Sequence, residues 1–146
     1  TELKARNNQF ISDHHDWLSA IHTSLSLLIK NDIISQQYED TIISLTEAHG
    51  PYMAIGNGVM LAHAKPNEGV NELGVNFTLF KHPFNLAESG KLINLVIGLA
   101  PIDQHSHFEF LETLLKFIQN KDWINQLKVI SSKEEFLQLL MDSKLA

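Results

Sequence analysis

The chain has 146 residues, enough for one domain with its own hydrophobic core. A net charge of −6, with no cluster of Lys or Arg, argues against direct contact with nucleic acid, which needs a basic patch to neutralise phosphates. The absence of cysteine excludes disulfides and thiolate metal sites, and no apolar run reaches the ~20 residues that span a bilayer.

The N-terminal "TELKARNNQF" is polar and lacks the apolar stretch of a secretory signal, so a cytoplasmic location is expected. All seven glycines and four prolines fall between Gly50 and Pro101. The outer parts of the chain therefore read as helical and the middle as strands. In "DWLSAIHTSLSLLIKND", Trp17, Leu18, Ile21, Leu25, Leu28 and Ile29 recur at intervals of three and four, which predicts an amphipathic helix capped by Asp16. "SQQYEDTIISLTEAHG" predicts a second helix, with Ser35 as its cap, Tyr38, Ile42 and Leu45 on one face, and Gly50 at its end.

The period then changes. "YMAI" and "GVMLAHA" read as short strands. In "GVNFTLF", Val75, Phe77 and Leu79 alternate with Asn76 and Thr78, as in a half-buried strand. "KLINLVIGLA" is almost continuously apolar and suits a central strand buried on both faces. Helix returns at "HFEFLETLLKFIQN", with Phe108, Leu111, Leu115 and Ile118 predicted to share a face, starting near Asp103 to Ser106. "KDWINQLKVI" predicts a short helix. A last helix follows a capping box formed by Ser131 with Glu134 or Ser132 with Glu135. The expected architecture is α/β, a mixed sheet with helices on both faces.

Eight histidines are many for this length, and their placement matters more than their number. His14 and His15 belong to a polar turn before the first helix; His22 and His82 read as surface residues; His49 suits a helix C-terminus. His63 ends a strand, between two alanines, with Pro66 stiffening the turn beyond. "DQHSH" follows the central strand at the start of a helix, where free N–H groups attract anions and His107 can turn a ring N–H toward them. A buried structural role for His63 and solvated rings for His105 and His107 remain the plain alternatives. Two strand-end histidines also fit transient covalent chemistry, because neutral imidazole is a nitrogen nucleophile and phosphoryl transfer needs chiefly positioning and charge stabilisation. "GNGVML" has Leu61 where a dinucleotide motif needs a third glycine, and neither a phosphate loop nor H-E-x-x-H is present. A zinc site drawn from His63, His105, His107 and Asp103 is a further alternative.

The segments "DW", "GPYMAI", "GNGVMLAHAKP", "EGV" and "GLAPIDQHSH" resemble the enzyme IIA domain of the bacterial phosphotransferase system, mannitol/fructose type, in its ascorbate-like branch. The likeness runs from Trp17 to the last helix. The family's Pro-His-Ala-Arg-Pro stands here as Ala62-His63-Ala64-Lys65-Pro66, so one proline is alanine and the arginine is lysine, which keeps the charge but loses bidentate geometry. The resemblance implies a mixed, mostly parallel five-stranded sheet between helical layers and a single phosphotransferase domain over residues 1–146. It also implies phosphorylation of His63, with His107 stabilising the phosphoryl group and no cofactor or metal. The implied partners are HPr as donor and an enzyme IIB as acceptor, with the membrane permease reached only indirectly. The same domain type also occurs in transcriptional regulators controlled by phosphorylation, and that reading stays open alongside the relay.

Overall fold

A computed structural model describes residues 7–103, 105 and 108–145. Among these, five strands and five α-helices follow one another as β1 (Gln9–Ile11), α1 (Trp17–Lys30), α2 (Gln36–His49), β2 (Ala54–Gly56), β3 (Val59–Ala62), β4 (Gly74–Asn85), β5 (Leu92–Ala100), α3 (Phe108–Ile118), α4 (Lys121–Val129) and α5 (Lys133–Asp142). No helix of the described residues is long and apolar enough to cross a membrane.

The local signals explain most boundaries. Asp16 caps α1, its carboxylate accepting from the Ser19 N–H at 2.8 Å. Gly50, with φ of 77°, ends α2 in a conformation that disfavours a Cβ. Ser35 stands at the N-cap position of α2, but its hydroxyl makes no capping bond; instead its N–H donates to the Gly69 carbonyl at 2.9 Å. Ser132 rather than Ser131 caps α5, its hydroxyl accepting from the Glu135 N–H at 3.1 Å.

The sheet order is β1-β4-β5-β3-β2. The pairs β1/β4 and β3/β5 are parallel, while β4/β5 and β2/β3 are antiparallel. The sheet is mixed as expected, but evenly so rather than mostly parallel. The reason lies in the connections. Asn57 and Gly58, with φ of 53° and 80°, join β2 to β3 in a two-residue hairpin. A tight turn through Leu86–Glu88 returns β4 onto β5. Links this short permit only antiparallel neighbours.

Strand β4 continues past the predicted end at Phe80 to Asn85. Its pairing with β5 jumps from Leu79↔Leu95 to Phe84↔Ile93, so the ladder with β5 is interrupted over residues 80–83, while Phe80 still pairs with Ile11 of β1. Pro83 lacks an N–H and fits that break in the ladder.

Each strand feeds two cores. On one face Met60, Ala62, Phe80, Ile93 and Val96 pack with Ile21, Leu25, Leu28, Tyr38 and Ile42 of α1 and α2. On the other face Val59, Leu61, Phe77, Leu95 and Ile97 pack with Leu114, Ile118, Trp123, Leu127 and Phe136 of α3 to α5. The alternation of Val96 and Ile97 between faces is the two-residue period of a strand covered on both sides. The expected face of α3 needs correction. Leu114 and Ile118 point inward, whereas Phe108 and Leu115 are 53% and 42% exposed. This helix has apolar residues on several sides, so spacing alone does not select the buried stripe.

Candidate active site

Parallel pairing places the ends of β3 and β5 at one edge of the sheet, with Ala62 opposite Gly98. His63 is the first residue beyond β3 and is half-buried. Its Nδ1 lies 2.8 Å from the Leu61 carbonyl oxygen. A carbonyl only accepts, so Nδ1 must carry the proton and the lone pair belongs to Nε2. The backbone that delivers His63 therefore also sets its tautomer.

The next residues hold that geometry. Ala64 is buried, and its N–H donates to the Tyr38 hydroxyl at 2.9 Å. Pro66 opens a 3₁₀ turn through Glu68, which Gly69 closes at φ of 117°. A Cβ at Gly69 would collide with the Ser35 hydroxyl, so the close approach of this turn to α2 requires glycine. Beyond it, Val70 bridges to Ile34, and the Asn71 N–H donates to the Ile33 carbonyl at 2.9 Å. The loop after His63 is thus fastened to the α1–α2 connection. Lys65 is exposed beside it.

Across the gap, the Tyr38 hydroxyl donates to the Leu99 carbonyl at 2.7 Å, near the end of β5. Tyr38 is fully buried, and burial pushes its ionisation far above the usual phenol range, so the hydroxyl stays a donor. The sequence marks Tyr38 only as part of an apolar helix face. A tyrosine in the middle of a buried stripe must find a partner for its hydroxyl, which was the available hint.

After β5 the chain turns at Pro101. The Asp103 carboxylate accepts from the His105 N–H at 2.8 Å. Among the described residues α3 runs from Phe108, whose N–H donates to the His105 carbonyl at 3.2 Å. The His105 ring is exposed and meets Phe108 edge-on at 5.1 Å. His107, expected to stabilise a phosphoryl group, lies outside the described residues, as do Gln104 and Ser106. Among the described residues, no three His, Asp or Glu side chains gather in a metal-holding group.

The other histidines have separate settings. The His14 ring stacks on His82 at 3.7 Å, near the opposite end of β5. Nδ1 of His15 is 2.7 Å from the Ser19 hydroxyl. His22 has more than a surface role, since its Nδ1 is 2.8 Å from the buried Glu39 carboxylate. His49 is the last residue of α2, as expected, and meets Tyr52 edge-on.

Three exposed apolar side chains belong to the segments at the His63 edge: Tyr52, Ile102 and Phe108. Tyr52 precedes Met53, whose carbonyl accepts from the Leu61 N–H at 2.9 Å; Ile102 follows β5; Phe108 opens α3. A cleft of about 730 Å³ lies elsewhere, lined by Gly58, Leu92, Lys81 and Lys128 at the far end of β3 and β5. His63 is not among the residues that line it.

The model of the family described as "Phosphoenolpyruvate-dependent sugar phosphotransferase system, EIIA 2" matches residues 3–143. The chain is similar to the mannitol-specific cryptic phosphotransferase enzyme IIA component of Escherichia coli, at 29% identity over 125 residues, 86% of this chain and 85% of that protein. It is also similar to the ascorbate-specific phosphotransferase EIIA component of Shigella boydii, at 25% identity over 126 residues, 85% of this chain and 82% of that protein. The solution structure of the Escherichia coli cryptic mannitol enzyme IIA superposes with a TM-score of 0.83 at 28% identity, covering 92% of this chain and 91% of that one. The Escherichia coli mannitol enzyme IIA, solved in complex with phosphorylated enzyme IIB, shares the fold with a TM-score of 0.75 at 21% identity, covering 92% and 94% of the two chains.

Proposed function

We propose that this chain, which belongs to the EIIA 2 family of the phosphoenolpyruvate-dependent sugar phosphotransferase system, carries a phosphoryl group on Nε2 of His63. The observation that carries the proposal is the Nδ1 contact with the Leu61 carbonyl, which leaves the Nε2 lone pair free. Phospho-HPr is the donor. The lone pair attacks phosphorus in line; the new P–N bond forms as the bond to the donor ring breaks, and that electron pair returns to the donor imidazole. The Nδ1 proton stays on the ring, donated to the Leu61 carbonyl. His107 stabilises the phosphoryl oxygens. The acceptor is an enzyme IIB, and transfer restores the free imidazole.

The exposed Tyr52, Ile102 and Phe108 offer apolar surface of the kind protein docking uses. The neighbour solved with phosphorylated enzyme IIB supports the acceptor. The relay operates in the cytoplasm, where phosphoenolpyruvate is available.

Incubation with enzyme I, HPr and phosphoenolpyruvate tests this reading. Wild type should take up one acid-labile phosphate, His63→Ala none, and His107→Ala should be slowed. Labelling of His63→Ala at the wild-type level would overturn it.

A further inference from the structure

The phenol of Tyr38 occupies a position no sequence motif marks. Regular pairing of β3 with β5 has its last register pair at Ala62 and Gly98. Beyond it, one buried hydroxyl takes the Ala64 N–H at 2.9 Å and gives its own proton to the Leu99 carbonyl at 2.7 Å. The side chain comes from α2, so three elements meet at one oxygen. Ala64 directly follows His63, and Leu99 lies at the end of the strand that leads into Asp103 and His105.

We propose that Tyr38 is a positioning residue for phosphoryl transfer, a rung that sets the separation between the His63 backbone and the segment leaving β5. The inference rests on His63 being the phosphorylated residue. Tyr38 touches no reacting atom. It acts through Ala64, fixing the backbone on one side of His63 as Leu61 fixes the ring on the other. Its ring fills the core against α1 and α2, so Tyr38→Phe keeps the packing and removes only the bridge. Without the bridge the strand ends relax, and the lone pair of His63 is less well aligned with the incoming phosphorus.

The test compares wild type, Tyr38→Phe, His63→Ala and Ile42→Val, the last being a core truncation on the same helix. With phospho-HPr as donor, Tyr38→Phe should lower kcat on the order of tenfold while KM stays within about twofold, the pattern of lost alignment rather than lost docking. Ile42→Val should leave kcat unchanged. In wild type, the Ala64 amide should exchange as slowly as the ladder amides of β5. Tyr38→Phe with wild-type kcat, or equal losses of kcat in Tyr38→Phe and Ile42→Val, would overturn the proposal. If Tyr38→Phe does not fold, the Ala64 amide decides: slow exchange supports the bridge, and exchange as fast as an open loop overturns it. Labelling of His63→Ala at the wild-type level would instead overturn the underlying assignment of His63, whatever Tyr38→Phe does.

Discussion

His63 points its Nδ1 at the carbonyl oxygen of Leu61, 2.8 Å away and two residues earlier in the same chain. The partner that orients this imidazole is its own strand. No carboxylate from another element is needed to select the tautomer, so Nε2, the nitrogen proposed to take the phosphoryl group, keeps its lone pair as soon as β3 joins the sheet. Everything that fixes the end of β3, including Gly98 opposite Ala62 and the Tyr38 bridge, thereby bears on the chemistry.

Gly98 tests how closely the sheet is packed at that edge. A Cβ there would collide with the Asn76 amide oxygen and would lie 3.0 Å from a Leu25 methyl. Asn76 is held in place by its bond to the Ser24 carbonyl at 2.7 Å. Gly98→Ala is expected to lower unfolding free energy by about 1–3 kcal/mol through overpacking. A urea midpoint equal to that of wild type would contradict this.

Loss of the first helix cap has a smaller expected effect. Asp16→Ala removes the acceptor of the Ser19 N–H and should cost about 1 kcal/mol, while Asp16→Asn keeps most of it. Equal denaturation midpoints for the alanine and asparagine variants would show that the cap is unimportant.

Both tyrosines ionise above the usual value of 10.0, Tyr38 because it is buried and Tyr52 because its largely exposed ring is still partly desolvated, and the effect is greater for Tyr38. At pH 10 the tyrosinate absorbance should therefore be well below half of its final value. The folded-state value of Tyr38 exceeds that of the unfolded chain, so the folded protein holds the proton more tightly. The stability this contributes is full below pH 10 and is lost as pH rises toward the folded value. Unfolding by circular dichroism should accompany the Tyr38 transition. Half-complete ionisation at pH 10 with the fold intact would contradict the burial of its hydroxyl.

Much of this was legible from residue order. Helices α1 and α2 follow from three-and-four spacing with Asp16 and Gly50 at their ends, and β5 follows from its unbroken apolar run. The end of β3 at His63 was legible because Pro66 interrupts the backbone just beyond. Strand β1 escaped notice because Gln9–Ile11 has too few residues to display a period; its pairing with β4 creates it. The even mixture of strand directions was hidden in two short connections, and the Asn57–Gly58 hairpin looked at first like a failed nucleotide motif. The role of Tyr38 depends on contacts with Ala64 and Leu99, 26 and 61 residues away, which no local pattern encodes.

The most direct test is the site of the phosphate itself. Protein labelled with ¹⁵N-histidine, phosphorylated through enzyme I and HPr, should show phosphorus coupling to Nε2 of His63 alone, with Nδ1 still protonated. Coupling at Nδ1, or at a histidine other than His63, would contradict the account.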